Sequence, residues 1–158
     1  PRFQPHPQLE TLRKKAIPWG RKELTAPWTL PDAAETAWEI LLEIPTQQQT
    51  GGLLLQVGNC FALELTLVSR TLHAYVKDTG EQTMQDCGTL QLAPGAPVRL
   101  QVFLDRCSAE IFADGKCLSV NVFDTAPLRP VSLIPQGGTL PLQLLQVWQL
   151  QHVMEPQT

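Results

Sequence analysis

The stretch Pro97–Phe123, PVRLQVFLDRCSAEIFADGKCLSVNVF, reads as three antiparallel strands joined by two tight turns. In its first strand Val98, Leu100, Val102 and Leu104 point one way, and Arg99, Gln101 and Phe103 the other, the period-two pattern of a half-buried strand. Asp114-Gly115 is a hairpin signal, because a type I′ turn needs positive φ at both central residues. With two residues in that turn, Ala113 faces Lys116 and Ile111 faces Leu118. A two-residue turn at Asp105-Arg106 would set Leu104 against Cys107 and Leu100 against Ile111. Both registers then place Leu100, Val102, Leu104, Cys107, Ala109, Ile111, Leu118, Val120 and Val122 on one uninterrupted apolar face. A slip of one residue in either hairpin would break it, so the register is well specified.

Outward from this meander the pattern repeats. Strands are expected over Thr36–Ile44, Leu53–Val57, Cys60–Val68, Thr71–Val76, Met84–Leu92, Val131–Ile134 and Leu140–Gln149, with turns at Gly58-Asn59, Ser69-Arg70, Asp78-Thr79-Gly80, Pro94-Gly95 and Gly137-Gly138. About ten short strands at close spacing, with no long helix and no repeat of 20–50 residues, argue for an antiparallel sandwich or barrel and against a propeller. Residues 1–31 are rich in Pro and basic side chains and read as a connector lying on a surface, with one helical turn around Gln8–Ala16 stopped by Pro18. Residues 32–151 form the domain, and 152–158 a frayed tail.

The chain has 158 residues, 43% hydrophobic and 17% charged, enough for one domain with a real core. A net charge of −3 without a basic face excludes a nucleic-acid binder, and no apolar run reaches the roughly 20 residues of a membrane span. Neither a zinc spacing nor a phosphate-cradling Gly-rich loop occurs, so no metal or cofactor is expected. Cys107 and Cys117 fall on opposite faces of one hairpin and cannot meet. Cys60 and Cys87 would need a long-range contact to pair. Reduced thiols, with no charged-then-apolar leader, favour the cytoplasm. The chain begins at Pro1 rather than Met, as a processed or excised piece would.

The segment Leu104–Gly115, LDRCSAEIFADG, resembles the "VDRSSVEVFVNDG" signature of glycoside hydrolase family 32, the family of invertases, sucrose-6-phosphate hydrolases, levanases and inulinases. It departs by Cys107 for the usual Ser and by one residue fewer before the Gly. Pro5–Arg13, PHPQLETLR, is similar to the family's "P…EL…LR" segment, where a catalytic β-propeller hands over to a C-terminal sandwich. The resemblance implies an all-β, two-sheet sandwich of jelly-roll or concanavalin type, with Asp105, Arg106, Glu110 and Gly115 as structural signature positions. Retaining glycosidases need two carboxylates roughly 5–5.5 Å apart. The family carries them on the propeller, in motifs of the form "WMNDPNG", "RDP" and "EC", and none of these occurs in this chain. What the resemblance implies is therefore a non-catalytic accessory module. Its partner would be the propeller of a bacterial cytoplasmic enzyme acting on sucrose, sucrose-6-phosphate or a fructan, with a share in homo-oligomer contacts.

The residues themselves offer few other sites. Asp78, Glu81 and Asp86 surround a turn and read as solvated, and Asp105-Arg106 as a turn-fixing pair. His6, His73 and His152 lack the spacing of a triad. Glu110, between Phe103 and Phe112 on the non-core face, reads either as a contact for a partner surface or as a solvated cross-strand pair. Trp38 and Trp148 sit in strand patterns and read as core. Phe103, Glu110, Phe112 and Trp28 are the candidates for contact with a partner or a sugar. The rival reading is a free-standing, lectin-like module using these aromatics on fructan or sucrose-type sugars. A protein-interaction domain without sugar is the third.

Overall fold

The computed structural model describes residues 13–19, 23–31, 37–77, 85–105, 108–121 and 130–150. These residues form two six-stranded antiparallel sheets and one small pair. The first sheet runs β1 (Arg13–Ile17), β14 (Leu144–Leu150), β4 (Ala37–Ile44), β9 (Val98–Leu104), β10 (Ser108–Ala113) and β11 (Lys116–Asn121). The second runs β3 (Trp28–Thr29), β12 (Val131–Gln136), β5 (Gly52–Val57), β6 (Phe61–Thr66), β7 (Thr71–Val76) and β8 (Gln85–Gln91). β2 (Glu23–Leu24) pairs with β13 (Leu140–Pro141).

Alternation decides which side chains meet between the sheets. Trp38, Ile40, Leu42 and Ile44 of β4, with Leu100, Val102 and Ile111 of the meander, pack in one cluster with Leu53, Leu55, Phe61, Leu63, Leu65 and Leu72 of the second sheet. Each fully buried aliphatic chain stabilises the fold by about 1.5–3 kcal/mol before chain entropy is counted. On β6 and just beyond it Phe61, Leu63, Leu65 and Leu67 are all buried.

The meander folds as its pattern requires, with one change. Ala113 faces Lys116 and Ile111 faces Leu118, and Asp114 and Gly115 adopt φ of 53° and 70°. The other hairpin turns one residue later than read, closing on Asp105 and Ser108. Leu104 faces Ala109 and Leu100 faces Ala113, with the Asp105 N–H donating to the Ser108 carbonyl at 2.9 Å. The pairing moves by two residues rather than one, so parity is kept and the apolar face survives. Leu100, Val102, Leu104, Ala109, Ile111 and Val120 are buried and Leu118 is half-buried, while Cys107 and Val122 lie outside the described residues.

The N-terminal segment differs from its reading. Residues 13–16, expected to close a helical turn, belong to β1 and pair with β14 at the edge of the first sheet. β3 adds an edge to the second sheet beside β12. Ile17, Leu24 and Leu30 are buried in the core, so this segment is woven in rather than laid on a surface. Propensity was overridden because edge backbone groups of β14 and β12 need partners, and an extended segment supplies them. Gly52 marks a close backbone approach: a Cβ there would lie 1.9 Å from the Leu65 carbonyl oxygen on β6.

Candidate functional site

Among the described residues three surfaces carry chemistry-bearing side chains, and the first is the outward face of the first sheet. Glu39, on β4, is fully buried there. Its cross-strand neighbours are Phe103 on β9 and Trp148 on β14. Arg13 reaches over from β1, donating Nε to Glu39 Oε1 and Nη2 to Oε2, both at 2.8 Å. The guanidinium lies 3.7 Å from the Trp148 ring centroid, and Gln101 Nε2 donates to Glu39 Oε2 at 2.9 Å. A buried carboxylate persists only when paired and hydrogen-bonded in this way. Phe103, Ala37 and Leu150 are buried beside it, with Phe112 and Trp148 packed against them. Phe103 meets Phe112 edge to face at 6.0 Å between centroids.

This face corrects two expectations. Phe103 is on the non-core side as read, but it is buried in a second small cluster rather than exposed. Trp148 is half-buried on the outer face over Arg13, while Trp38 lies in the core as read. Glu110 is exposed, paired across strands with Phe103 and Ser119. Asp105 sits at the start of its loop, and Arg106 lies outside the described residues. Trp28 packs against the main core and against Trp19, at 4.7 Å between ring centroids, so its ring is not free on the surface.

The second surface is a groove of about 600 Å³ where the first sheet's outer face meets the loop at residues 92–97. Its rim is tied by side-chain hydrogen bonds. Arg70 donates to the carbonyls of Ala93 and Ala96 at 2.8 and 2.9 Å. From the opposite side Asp114 Oδ2 accepts from the Ala93 N–H at 2.8 Å, and Lys116 Nζ donates to the Gln91 carbonyl.

The third is the outward face of the second sheet. His73 and Tyr75 stack at 6.0 Å, Thr89 Oγ1 bonds His73 Nδ1 at 2.9 Å, and Asp86 lies 3.8 Å from that nitrogen. Partial desolvation, then the charges of Glu64 and Asp86, holds the Tyr75 phenol above its ordinary value of 10.0. Desolvation, and after it Asp86, raises the Cys87 thiol above 9.0. A thiol so shifted is a poor nucleophile. Cys60 lies in the core, its thiol donating to the Val57 carbonyl at 3.3 Å, while Cys87 is exposed and Cys117 half-buried, neither in a disulfide. Among the described residues no three His, Cys, Asp or Glu side chains gather as a metal site would require.

Sequence reasoning missed Glu39, Arg13 and Gln101 as one unit. The available signal was an acid in the middle of the apolar run AWEILLEI, which a strand with one dry outer face tolerates only when the charge is paired.

Residues 8–149 match the family model described as glycosyl hydrolases family 32 C terminal. Among curated proteins none matches the sequence. The fold is similar to that of an exo-inulinase from Aspergillus awamori, with a TM-score of 0.69 at 14% identity, over 94% of this chain and 32% of that one. It is also similar to a sucrose-6-phosphate hydrolase from Lactobacillus gasseri, with a TM-score of 0.67 at 14% identity, over 95% and 31%. A toad ovary galectin in complex with thio-digalactose is a more distant likeness, with a TM-score of 0.51 at 16% identity, over 78% and 99%. The chain thus spans about a third of the length of the two hydrolases.

Proposed function

Since the chain belongs to the C-terminal family of the family 32 glycosyl hydrolases, we propose that it is the non-catalytic accessory module of a β-fructofuranosidase-type enzyme. The observation that carries this reading is the match over residues 8–149, together with a chain about a third as long as the hydrolases it resembles. The parent would hydrolyse sucrose, sucrose-6-phosphate or a fructan through carboxylates on a catalytic propeller. The module's work is mechanical: it docks against that propeller and stiffens it, and it shares in contacts between copies of the enzyme. Residues 1–31 lead in from the propeller, and within them β1 and β3 form edge strands of the two sheets. Glu110, exposed beside Phe103 and Phe112, is the docking contact in this reading. Cys87 and Cys117, neither in a disulfide, suit a bacterial cytoplasm.

The test compares the full-length parent enzyme with a version ending before this module. Loss of thermal stability in the truncated enzyme, with a smaller mass in solution where copies associate, is the expected result. Glu110→Lys in the full-length enzyme should lower the melting temperature part of the way. An equal melting temperature in all three would overturn the reading.

A further inference from the structure

The groove beside loop 92–97 is a concave site among the described residues, and it does not include the docking contact Glu110. Its volume, about 600 Å³, falls within the range of roughly 300–1,000 Å³ typical of small-molecule sites. The floor is made by outward-facing residues of three adjacent strands: Glu43 on β4, Arg99 and Gln101 on β9, and Phe112 on β10. The register puts Arg99 opposite Glu43 and Gln101 opposite Phe112.

These groups are prepared for hydroxyls. The Glu39 carboxylate accepts from Gln101 Nε2, which fixes the amide and leaves Oε1 as an acceptor. Arg99 is only loosely held, 3.7 Å from Glu43, and its side chain is 57% exposed, so its N–H donors are available. Glu43 adds acceptor oxygens. Phe112, half-buried and set edge-on by Phe103, offers an apolar ring fixed in place. Arg70 and Asp114 anchor the rim from the two sheets, so little ordering is left to be done on binding. Two guanidinium groups, Arg70 and Arg99, stand against two carboxylates, Glu43 and Asp114. That balance disfavours an anion and suits a neutral polyol.

We propose that this groove is a binding site for a short neutral saccharide, with Phe112 as the apolar platform and Arg99, Gln101 and Glu43 as the hydroxyl-binding groups. The site is distinct from the docking contact at Glu110, which lies two residues from Phe112 on β10 and does not line the groove.

The test is a titration of the isotope-labelled chain with sucrose, with an inulin-type trisaccharide and with lactose, followed by amide chemical shifts. Saturable shifts at residues 93–101 and 112–115 with at least one of these sugars, at millimolar ligand, are expected. Arg99→Ala, at the surface, and Glu43→Gln, a half-buried and near-isosteric change, should each weaken binding about tenfold with the amide spectrum elsewhere unchanged. Phe112→Ala should abolish it, and Tyr75→Phe, on the other sheet, should leave it unaltered. Absence of saturable shifts with all three sugars would overturn the proposal. So would shifts mapping elsewhere, or inorganic phosphate binding in the groove in place of a saccharide.

Discussion

The two outward faces of the sandwich grow from the same alternation and reach opposite states. On the first sheet Glu39 is dry, gripped by Arg13 at two points of 2.8 Å and walled by Phe103 and Trp148. On the second sheet Glu64 is half-exposed, its cross-strand neighbours are Leu54 and His73, and the nearby His73–Asp86 pair is loose at 3.8 Å. Both acids occupy the outward register of a strand near the middle of its sheet. The difference lies in the lateral neighbours. Two large aromatic rings beside Glu39 exclude water and leave the carboxylate dependent on its partners; a Leu and a His do not. A loosely held, solvated pair is worth little, whereas stranding a buried charge is costly.

The largest expected effect breaks that contrast directly. Arg13→Ala should cost about 3–5 kcal/mol, because it leaves the Glu39 carboxylate buried without its cation. Glu64→Ala, on the wetter face, should stay within about 0.5 kcal/mol of the parent chain. Urea midpoints of the two variants decide it, and equal midpoints would dissolve the distinction. Adding Glu39→Leu to Arg13→Met should recover most of the loss, since an apolar pair of similar volume can replace a buried ion pair.

A smaller effect sharpens the role of the meander. Gly115→Ala forces a Cβ onto a residue at φ 70° and should cost about 1–2 kcal/mol. The same turn carries Asp114, which holds Ala93, so amide exchange across residues 92–97 should also speed up in this variant. Unchanged exchange there would mean that Arg70 alone pins the loop.

The smallest effect reports on the second sheet's outer face. The Tyr75 phenol holds its proton more tightly folded than unfolded, so the unfolded chain loses that proton first as the pH rises past 10. Stability therefore falls with rising pH above that point, and it is undiminished below it. Tyr75→Phe should make this alkaline loss shallower while leaving stability at pH 8 alone. Urea midpoints at the two pH values provide the comparison; parallel pH dependence in both proteins would show that the face does not hold the phenol.

Several elements were legible without coordinates, and each was local. Asp114-Gly115 could be read because a two-residue turn with positive φ admits few residue types. The inner stripe of Leu100, Val102 and Ile111 could be read because period two survives even a hairpin misjudged by two residues. The segment LDRCSAEIFADG carried the family resemblance that the match over residues 8–149 confirms. What could not be read depended on residues far apart in sequence. Nothing near residue 13 announces that it is an edge strand, because that follows from the open edge of β14. Nothing near Phe103 or Trp148 says that they wall in an acid on β4, and the groove needs loop 92–97, β4, β9 and β10 together.

The sequence by itself determined the all-β class, the inward face of the meander and the membership of a family, since all three rest on short-range periodicity and turn chemistry. Tertiary structure alone decided which outward residues stay wet. Glu39 and Glu64 are alike in pattern, and only the order of strands in the sheet sets Arg13, Phe103 and Trp148 around the first and leaves the second open to solvent.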